Sequence, residues 1–74
     1  MDSTMSTQII GKRVKGRRKL LKITQNDLSE ISGVSLRTIK AVEEGEANPT
    51  VEILNRILKP LGLTLNTTER IKNE

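Results

Sequence analysis

The stretch of 22 residues from Thr24 to Gly45 predicts two short helices joined by a tight turn. Thr24 and Ser35 each carry a side-chain oxygen that can cap the start of a helix. Gly45 can adopt the left-handed conformation that ends many helices. Only residues 33–35, Gly-Val-Ser, lie between the two helices. Because so short a connection cannot bring the second helix antiparallel to the first, the two must cross steeply, which is helix-turn-helix geometry.

Apolar residues recur at the i, i+3 spacing on both predicted helices. Leu28 and Ile31 mark the buried side of the first helix, and Ile39 and Val42 mark that of the second. At about 100° per residue, four residues of the second helix fall together on the opposite side. They are Arg37, Lys40, Ala41 and Glu44. We therefore expect this helix to present an outward face that begins with positive charge.

The start of the second helix carries residue types that recognise bases. Arg37 lies in the first turn, where a guanidinium can donate two parallel hydrogen bonds to a guanine edge, a contact that discriminates between bases by about 1–3 kcal/mol. Leu36 lies between the buried and exposed sides, so that it either joins the core or touches a thymine methyl group. This arrangement predicts binding to double-stranded DNA.

The same stretch resembles the signature of the Cro/C1-type (XRE) helix-turn-helix family. That signature has Thr or Ser followed by Gln, Leu four residues after the Thr, Gly-Val-Ser at the turn, and then Ile, Glu and Gly. The matching residues are Thr24, Gln25, Leu28, Gly33, Val34, Ser35, Ile39, Glu43 and Gly45. With the flanking helices the resemblance covers about residues 8–66. It implies an all-α fold, a compact lambda-repressor-like domain of four to five helices.

The resemblance also implies roles for individual residues. In the family, the residue matching Gln25 bonds a DNA phosphate from the start of the first motif helix. The positions that face base edges are those of Leu36, Arg37 and Ala41, and the positions that reach bases or phosphates are those of Ser35, Thr38 and Lys40. We therefore predict a DNA-binding site made of these seven residues, together with a phosphate contact from Lys15.

Two acidic residues at the end of the second motif helix have different predicted roles. The resemblance implies an ion pair between Arg18 and Glu43 that ties the first helix of the chain to the recognition helix, so neither residue is assigned to base reading. Glu44 lies on nearly the same face as Arg37, where a carboxylate close to phosphates is unfavourable. We expect Glu44 to point past the groove, because the recognition helix in such folds approaches DNA with its N-terminal end.

A run of positive charge precedes the motif. Seven of the residues in the range 12–22 are basic and none is acidic, while the whole chain has a formal net charge of +4. Such a run alone is compatible with a solvated helix face. Beside a helix-turn-helix, a first helix that partly faces phosphates is the better interpretation, since it supplies attraction that does not depend on base sequence. Gly16 weakens this helix and reflects either close packing or simple tolerance.

The composition excludes several classes of function. The chain has no Cys, His, Phe, Tyr or Trp. It therefore lacks the usual zinc ligands, thiol nucleophiles, imidazole catalysts and aromatic platforms for stacked bases. We expect no enzymatic activity and no cofactor. No apolar run approaches the roughly 20 residues of a membrane span and no N-terminal signal region is present, so a cytoplasmic protein without a membrane partner is expected.

Outside the motif, the chain predicts a disordered stretch over residues 1–7, a helix from about residue 8 to Lys22, and a further helix capped by Thr50. The apolar residues that we assign to the core in these two helices are Ile10, Val14 and Leu21 in the first, and Val51, Leu54, Ile57, Leu58 and Leu61 in the second. Pro60 must stop or kink the second near Lys59. The helical domain is predicted to span residues 8–62.

Residues 63–66, Leu-Thr-Leu-Asn, alternate apolar and polar side chains and predict a short strand. With no other strand candidate in the chain, its partner is expected to be a second copy, which makes the protein a homodimer; a frayed polar tail is the alternative. Residues 67–74 are predicted to be a flexible tail. The ending also resembles the HipB-like antitoxin branch of the family, in which a C-terminal strand pairs across the dimer.

Three functions are compatible with the sequence. The first is a homodimeric repressor that binds an inverted-repeat operator. The second adds a protein partner, a HipA-like toxin kinase that the chain would neutralise as the antitoxin of a two-gene module. Without a toxin, the protein is a plain phage-type or restriction-modification controller regulator. The third is a basic interaction module that binds any duplex with similar affinity.

Overall fold

A computed structural model of the protein describes residues 3–65 and 71–73. Within these ranges the chain forms four α-helices, one short 3-10 helix and a two-stranded sheet. In chain order these are α1 (Ser3–Leu20), α2 (Gln25–Ser32), α3 (Leu36–Glu43), α4 (Val51–Leu58), the 3-10 helix (Lys59–Leu61), β1 (Leu63–Leu65) and β2 (Ile71–Asn73). The predicted fold, an all-α helix-turn-helix domain with a short C-terminal strand, is confirmed.

Side-chain caps fix where three of the helices begin. Thr24, Ser35 and Thr50 each accept a hydrogen bond from the backbone N–H three residues later, at 2.9, 3.2 and 3.1 Å. Asp27 completes a capping box on α2, because its carboxylate accepts the backbone N–H of Thr24 at 2.9 Å. That backbone hydrogen bond, with a second one to the Thr24 side chain, lowers the pKa of Asp27 below its ordinary value. All three caps agree with the sequence prediction.

Helix α1 differs from its prediction at both ends. It begins at Ser3, within the stretch predicted to be disordered, and Met1 and Asp2 lie outside the described residues. The Ser- and Thr-rich segment carries no apolar periodicity, so the sequence contains no signal for a helix there. At the other end the helix stops at Leu20, and Lys22 takes a left-handed conformation with φ of 61°. A non-glycine residue in that conformation is hard to anticipate from sequence.

The core is aliphatic and lies between the helices. Its buried members are Val14, Leu28, Val34, Ile39, Val42, Leu54, Ile57, Leu58, Leu61 and Leu63, with Ile10 and Ile23 packed against them. Three residues that we predicted to be buried are exposed: Ile31 at 61%, Leu21 at 43% and Val51 at 63%. Leu21 follows the last residue of α1. Ile31 and Val51 show that an apolar spacing predicts which side of a helix faces the core. It does not predict how far the neighbouring elements extend along that side.

The C-terminal strand has a partner within its own chain. β1 and β2 pair antiparallel, with Leu63 opposite Asn73, Thr64 opposite Lys72 and Leu65 opposite Ile71. The prediction that the chain holds no second strand was therefore wrong, and so was the flexible tail at residues 71–73. Three residues flanked by charged neighbours are too few to show alternation. The remaining residues of the predicted tail, 67–70 and 74, lie outside the described residues. Helix α4 ends at Leu58 and continues as the 3-10 helix, as Pro60 predicts.

Candidate nucleic-acid interface

The turn between α2 and α3 is held by local contacts. Gly33 ends α2 in the left-handed conformation, with φ of 74°, and its N–H donates to the carbonyl of Ser29 at 3.0 Å. The Ser29 hydroxyl donates to the carbonyl of Val34 at 2.6 Å, and the Val34 side chain is buried. These contacts fix the direction in which α3 leaves the turn. They give the predicted helix-turn-helix a rigid connection.

Helix α3 has an inner face that packs and an outer face that is open. Ile39, Val42 and Glu43 are buried. On the other side Arg37, Lys40 and Glu44 are exposed, while Leu36, Thr38 and Ala41 are half-buried. The two cations of the outer face therefore precede its one carboxylate, which belongs to the C-terminal cap residue Glu44. That Glu44 points past the groove of a bound duplex stays a prediction.

Ser35 and Thr38 form a small hydroxyl pair at the start of α3. The Ser35 hydroxyl accepts the backbone N–H of Thr38 and donates to its Oγ1 at 2.9 Å. The donor hydrogen of Ser35 is thus used inside the protein, in the cap. Leu36, for which the sequence left both a core and a groove position open, is half-buried.

A buried ion pair joins α1 to the end of α3. Arg18 Nε donates to Glu43 Oε2 at 2.7 Å and Nη2 donates to Oε1 at 3.0 Å. Arg18 Nη1 donates to the carbonyl of Ile23 at 2.9 Å, just before α2. The hydrogen bond to Glu43 raises the pKa of the Arg18 guanidinium above its ordinary value, so it stays charged. The predicted Arg18–Glu43 pair is confirmed.

Gln25 occupies the first position of α2 but makes a contact that the sequence did not indicate. Its Nε2 donates to Glu43 Oε1 at 3.1 Å, and the residue is half-buried. The amide therefore binds the same carboxylate as Arg18 does, although Gln25 and Glu43 are eighteen residues apart along the chain. No sequence spacing reports such a contact, because it depends on how α2 and α3 cross.

The basic run, which lies on α1 except for Lys22, divides into two groups. Lys12, Arg13, Lys15, Lys19 and Lys22 are exposed. Arg18 is buried against Glu43, and the Nε of Arg17 donates to the carbonyl of Leu61 in the 3-10 helix at 2.9 Å. Five of the seven cations therefore remain at the surface, where they can attract a polyanion. The other two hold the helices together.

The close approach of α1 to α3 takes place at Gly11. A Cβ added to Gly11 would collide with the carbonyl oxygen of Val42 and lie 3.0 Å from that of Glu43. The same addition at Gly16 meets no atom within 4 Å. Of the two readings that the sequence left open for Gly16, tolerance is the correct one. The close packing belongs instead to Gly11, which the sequence did not single out.

The sequence that forms these elements matches a known family. The helix-turn-helix family HTH_3 matches residues 14–67. The chain belongs to the Cro/C1-type helix-turn-helix family. An uncharacterized HTH-type transcriptional regulator of Haemophilus influenzae is 36% identical over 73 residues, which cover 97% of this chain and 74% of that protein.

Two further relatives match this chain over a small part of their own length. Repressor protein C2 of Salmonella phage P22 is 42% identical over 57 residues, which make up 77% of this chain and 26% of the repressor. A putative HTH-type transcriptional regulatory protein of Methanococcus maripaludis is 40% identical over 57 residues, which make up 18% of that protein. The similarity to these two proteins therefore covers only a small part of each. No solved structure gives a significant match.

Residues 3–65 and 71–73 contain no cluster of three or more acidic, His or Cys side chains that could hold a metal ion. None of the helices described in those ranges combines the length and the apolar character needed to cross a membrane.

Proposed function

We propose that this protein is a sequence-specific transcriptional repressor that binds double-stranded DNA as a homodimer on an inverted-repeat operator. The observation that carries the proposal is the outer face of α3. Arg37 and Lys40 stand exposed on it, while Ile39 and Val42 anchor the opposite face in the core. A helix held in this way can enter a major groove without losing its own packing.

We assign direct base reading to Leu36, Arg37 and Ala41, and contacts to bases or phosphates to Ser35, Thr38 and Lys40. Gln25 and Lys15 are assigned to phosphates. The start of α2 supports the role of Gln25, since the first N–H groups of a helix attract anions. The exposure of Lys15 on α1 supports a contact that does not depend on base sequence. Repression by occlusion of a promoter needs no catalysis.

A homodimer follows from the requirement for specificity. One α3 reads only a few base pairs, and two copies related by a two-fold axis read an inverted repeat. The half-sites should then be centred about 34 Å apart, so that both copies of α3 reach the same side of the duplex. The small domain supports this expectation, because dimerisation often adds stability to chains of this length.

Selection of duplexes from a random pool tests the proposal. The wild-type chain should enrich an inverted repeat. Arg37→Ala should relax the preference at one position in each half-site, with about 1–3 kcal/mol of discrimination lost there. Lys15→Ala should weaken binding to all duplexes alike. It should also reduce the slope of log affinity against log salt concentration by the amount that corresponds to about one phosphate contact.

Lys59→Ala is the matched control, since Lys59 is an exposed cation at the start of the 3-10 helix, outside α1, α2 and α3, and should change neither quantity. If the wild-type chain enriched no sequence from the pool, the result would favour the basic interaction module instead. Identical effects of Arg37→Ala and Lys15→Ala on every duplex would remove the two assigned roles.

A second candidate is an antitoxin that also binds a HipA-like toxin kinase. The observation in its favour is a shallow groove on the outer side of α4, where exposed Val51 lies beside Asn55 and Lys59. The rest of the apolar stripe on α4 is buried in the core and offers no partner surface. Co-purification of a stoichiometric kinase-like protein from the native host, lost on Val51→Glu, would support this function. Absence of such a partner would leave a plain phage-type or restriction-modification regulator.

A further inference from the structure

One carboxylate connects the three helices that bear the candidate interface. Glu43, near the end of α3, accepts hydrogen bonds from Arg18 of α1 through both oxygens and from Gln25 of α2 through Oε1. The Glu43 side chain is only 2% exposed. The group that anchors the recognition helix is therefore also in contact with the residue assigned to a phosphate.

The chemistry of this contact determines how the Gln25 amide is oriented. An ionised carboxylate only accepts hydrogen bonds, so the NH2 side of the amide must face Glu43 and the carbonyl oxygen must face away. One Nε2 hydrogen is used by Glu43, which leaves the other as the donor that an outside ligand can meet. Without the carboxylate, nothing in this network would stop the amide from turning its oxygen toward that ligand, and an oxygen repels a phosphate.

We propose that Glu43 is a positioning residue for DNA binding, which holds the Gln25 amide with a hydrogen-bond donor ready for a phosphate. The inference rests on the proposed function, because it takes Gln25 to be a phosphate contact. Arg18 contributes in two ways. Its two hydrogen bonds to Glu43 fix the carboxylate, and its third, to the Ile23 carbonyl, fixes the segment that leads into α2.

A double-mutant comparison of DNA affinity tests this role. Gln25→Ala is measured in the wild-type chain and in a chain carrying Arg18→Met together with Glu43→Leu, since apolar residues of similar volume often replace a buried ion pair without loss of the fold. The ligand is the duplex selected by the wild-type chain. Gln25→Ala should weaken binding about tenfold in the wild-type chain and less than about twofold in the other.

Three results would contradict the inference in different ways. An equal loss in both chains would show that Glu43 does not act through Gln25. No loss in either, with duplex binding intact, would show that Gln25 is not a phosphate contact, and the proposed function would survive. A wild-type chain that prefers no duplex would overturn the proposed function itself, and this inference with it.

A measurement on the wild-type chain tests the same role without requiring that the Arg18→Met, Glu43→Leu chain folds. The chain has two glutamines, and Gln8 is exposed on α1. In the NMR spectrum of the DNA-free protein, one Nε2 proton of Gln25 should be protected from solvent exchange by its bond to Glu43, while both protons of Gln8 exchange freely. Added duplex should shift the second Nε2 proton of Gln25. Exchange of both Gln25 protons as fast as those of Gln8 would overturn the inference.

Discussion

Residues of the same type on α1 serve either folding or binding, according to whether they pack against other helices or face solvent. On the inner side, Gly11 touches the end of α3, Val14 lies in the core and Arg18 pairs with Glu43. On the outer side, Gly16 has open space above it, while Lys15 is exposed at the edge between the two sides. The two glycines and the two cations are close in sequence, yet one member of each pair is packed and the other is open to solvent. The register of the helix, rather than residue type, decides which of them holds the fold.

The largest effect is expected when a cation is removed from the inner side. Arg18→Ala leaves the buried Glu43 carboxylate without its partner, which typically costs about 3–5 kcal/mol. A single core of this size seldom supplies more than about 3–5 kcal/mol, so the variant should be largely unfolded at room temperature. Far-UV circular dichroism measures this directly. A melting curve close to that of the wild type would mean that the ion pair does not hold α1 to α3.

The next largest effect is expected at the inner glycine. Gly11→Ala places a methyl group against the carbonyls of Val42 and Glu43, and overpacking of this kind costs about 1–3 kcal/mol. Denaturant unfolding followed at 222 nm is suitable, because the chain has no aromatic residue to serve as a fluorescent probe. Wild-type stability in this variant would show that α1 and α3 are further apart than the structure describes.

The same substitution on the outer side should have the opposite sign. Gly16→Ala adds a methyl group in open space and restores helix propensity, which should stabilise the protein by about 1 kcal/mol. The two alanine variants are matched controls for each other in the same unfolding experiment. If Gly16→Ala destabilised the protein, the division of α1 into a packed and an open side would be incorrect.

The smallest effect on folding is expected at the exposed cation, Lys15. Lys15→Ala should change the free energy of unfolding by no more than about 0.5 kcal/mol, as surface substitutions usually do. Its effect should appear only in DNA affinity. Loss of stability comparable to that of Arg18→Ala would assign Lys15 to the fold instead of the interface.

The sequence predicts this molecule best where the signal is local. The caps at Thr24, Ser35 and Thr50 depend on neighbouring residues, and all are present. The Arg18–Glu43 pair was available only through the family resemblance, since twenty-five residues separate the partners. The Gly11 approach and the Gln25–Glu43 hydrogen bond depend on how helices cross, which no spacing in the chain records.

The same limit explains the errors near the ends of elements. Ile31 and Val51 have the correct helical spacing but lie where none of the elements described in residues 3–65 and 71–73 covers them. β2 is too short to alternate, and it forms because β1 provides an edge for it. The residues assigned to DNA contact were predicted as positions on a helix face. The structure shows which of those positions are exposed.

A map of the surface that DNA touches tests most directly whether α3 is the helix that binds it. Backbone amide shifts of the labelled protein can be recorded while the selected duplex is added. We predict that the largest changes occur at Gln25 and over residues 35–41, with smaller changes at Lys15 and none along the outer side of α4. Large changes around Val51 and Lys59, with α3 unaffected, would contradict this prediction.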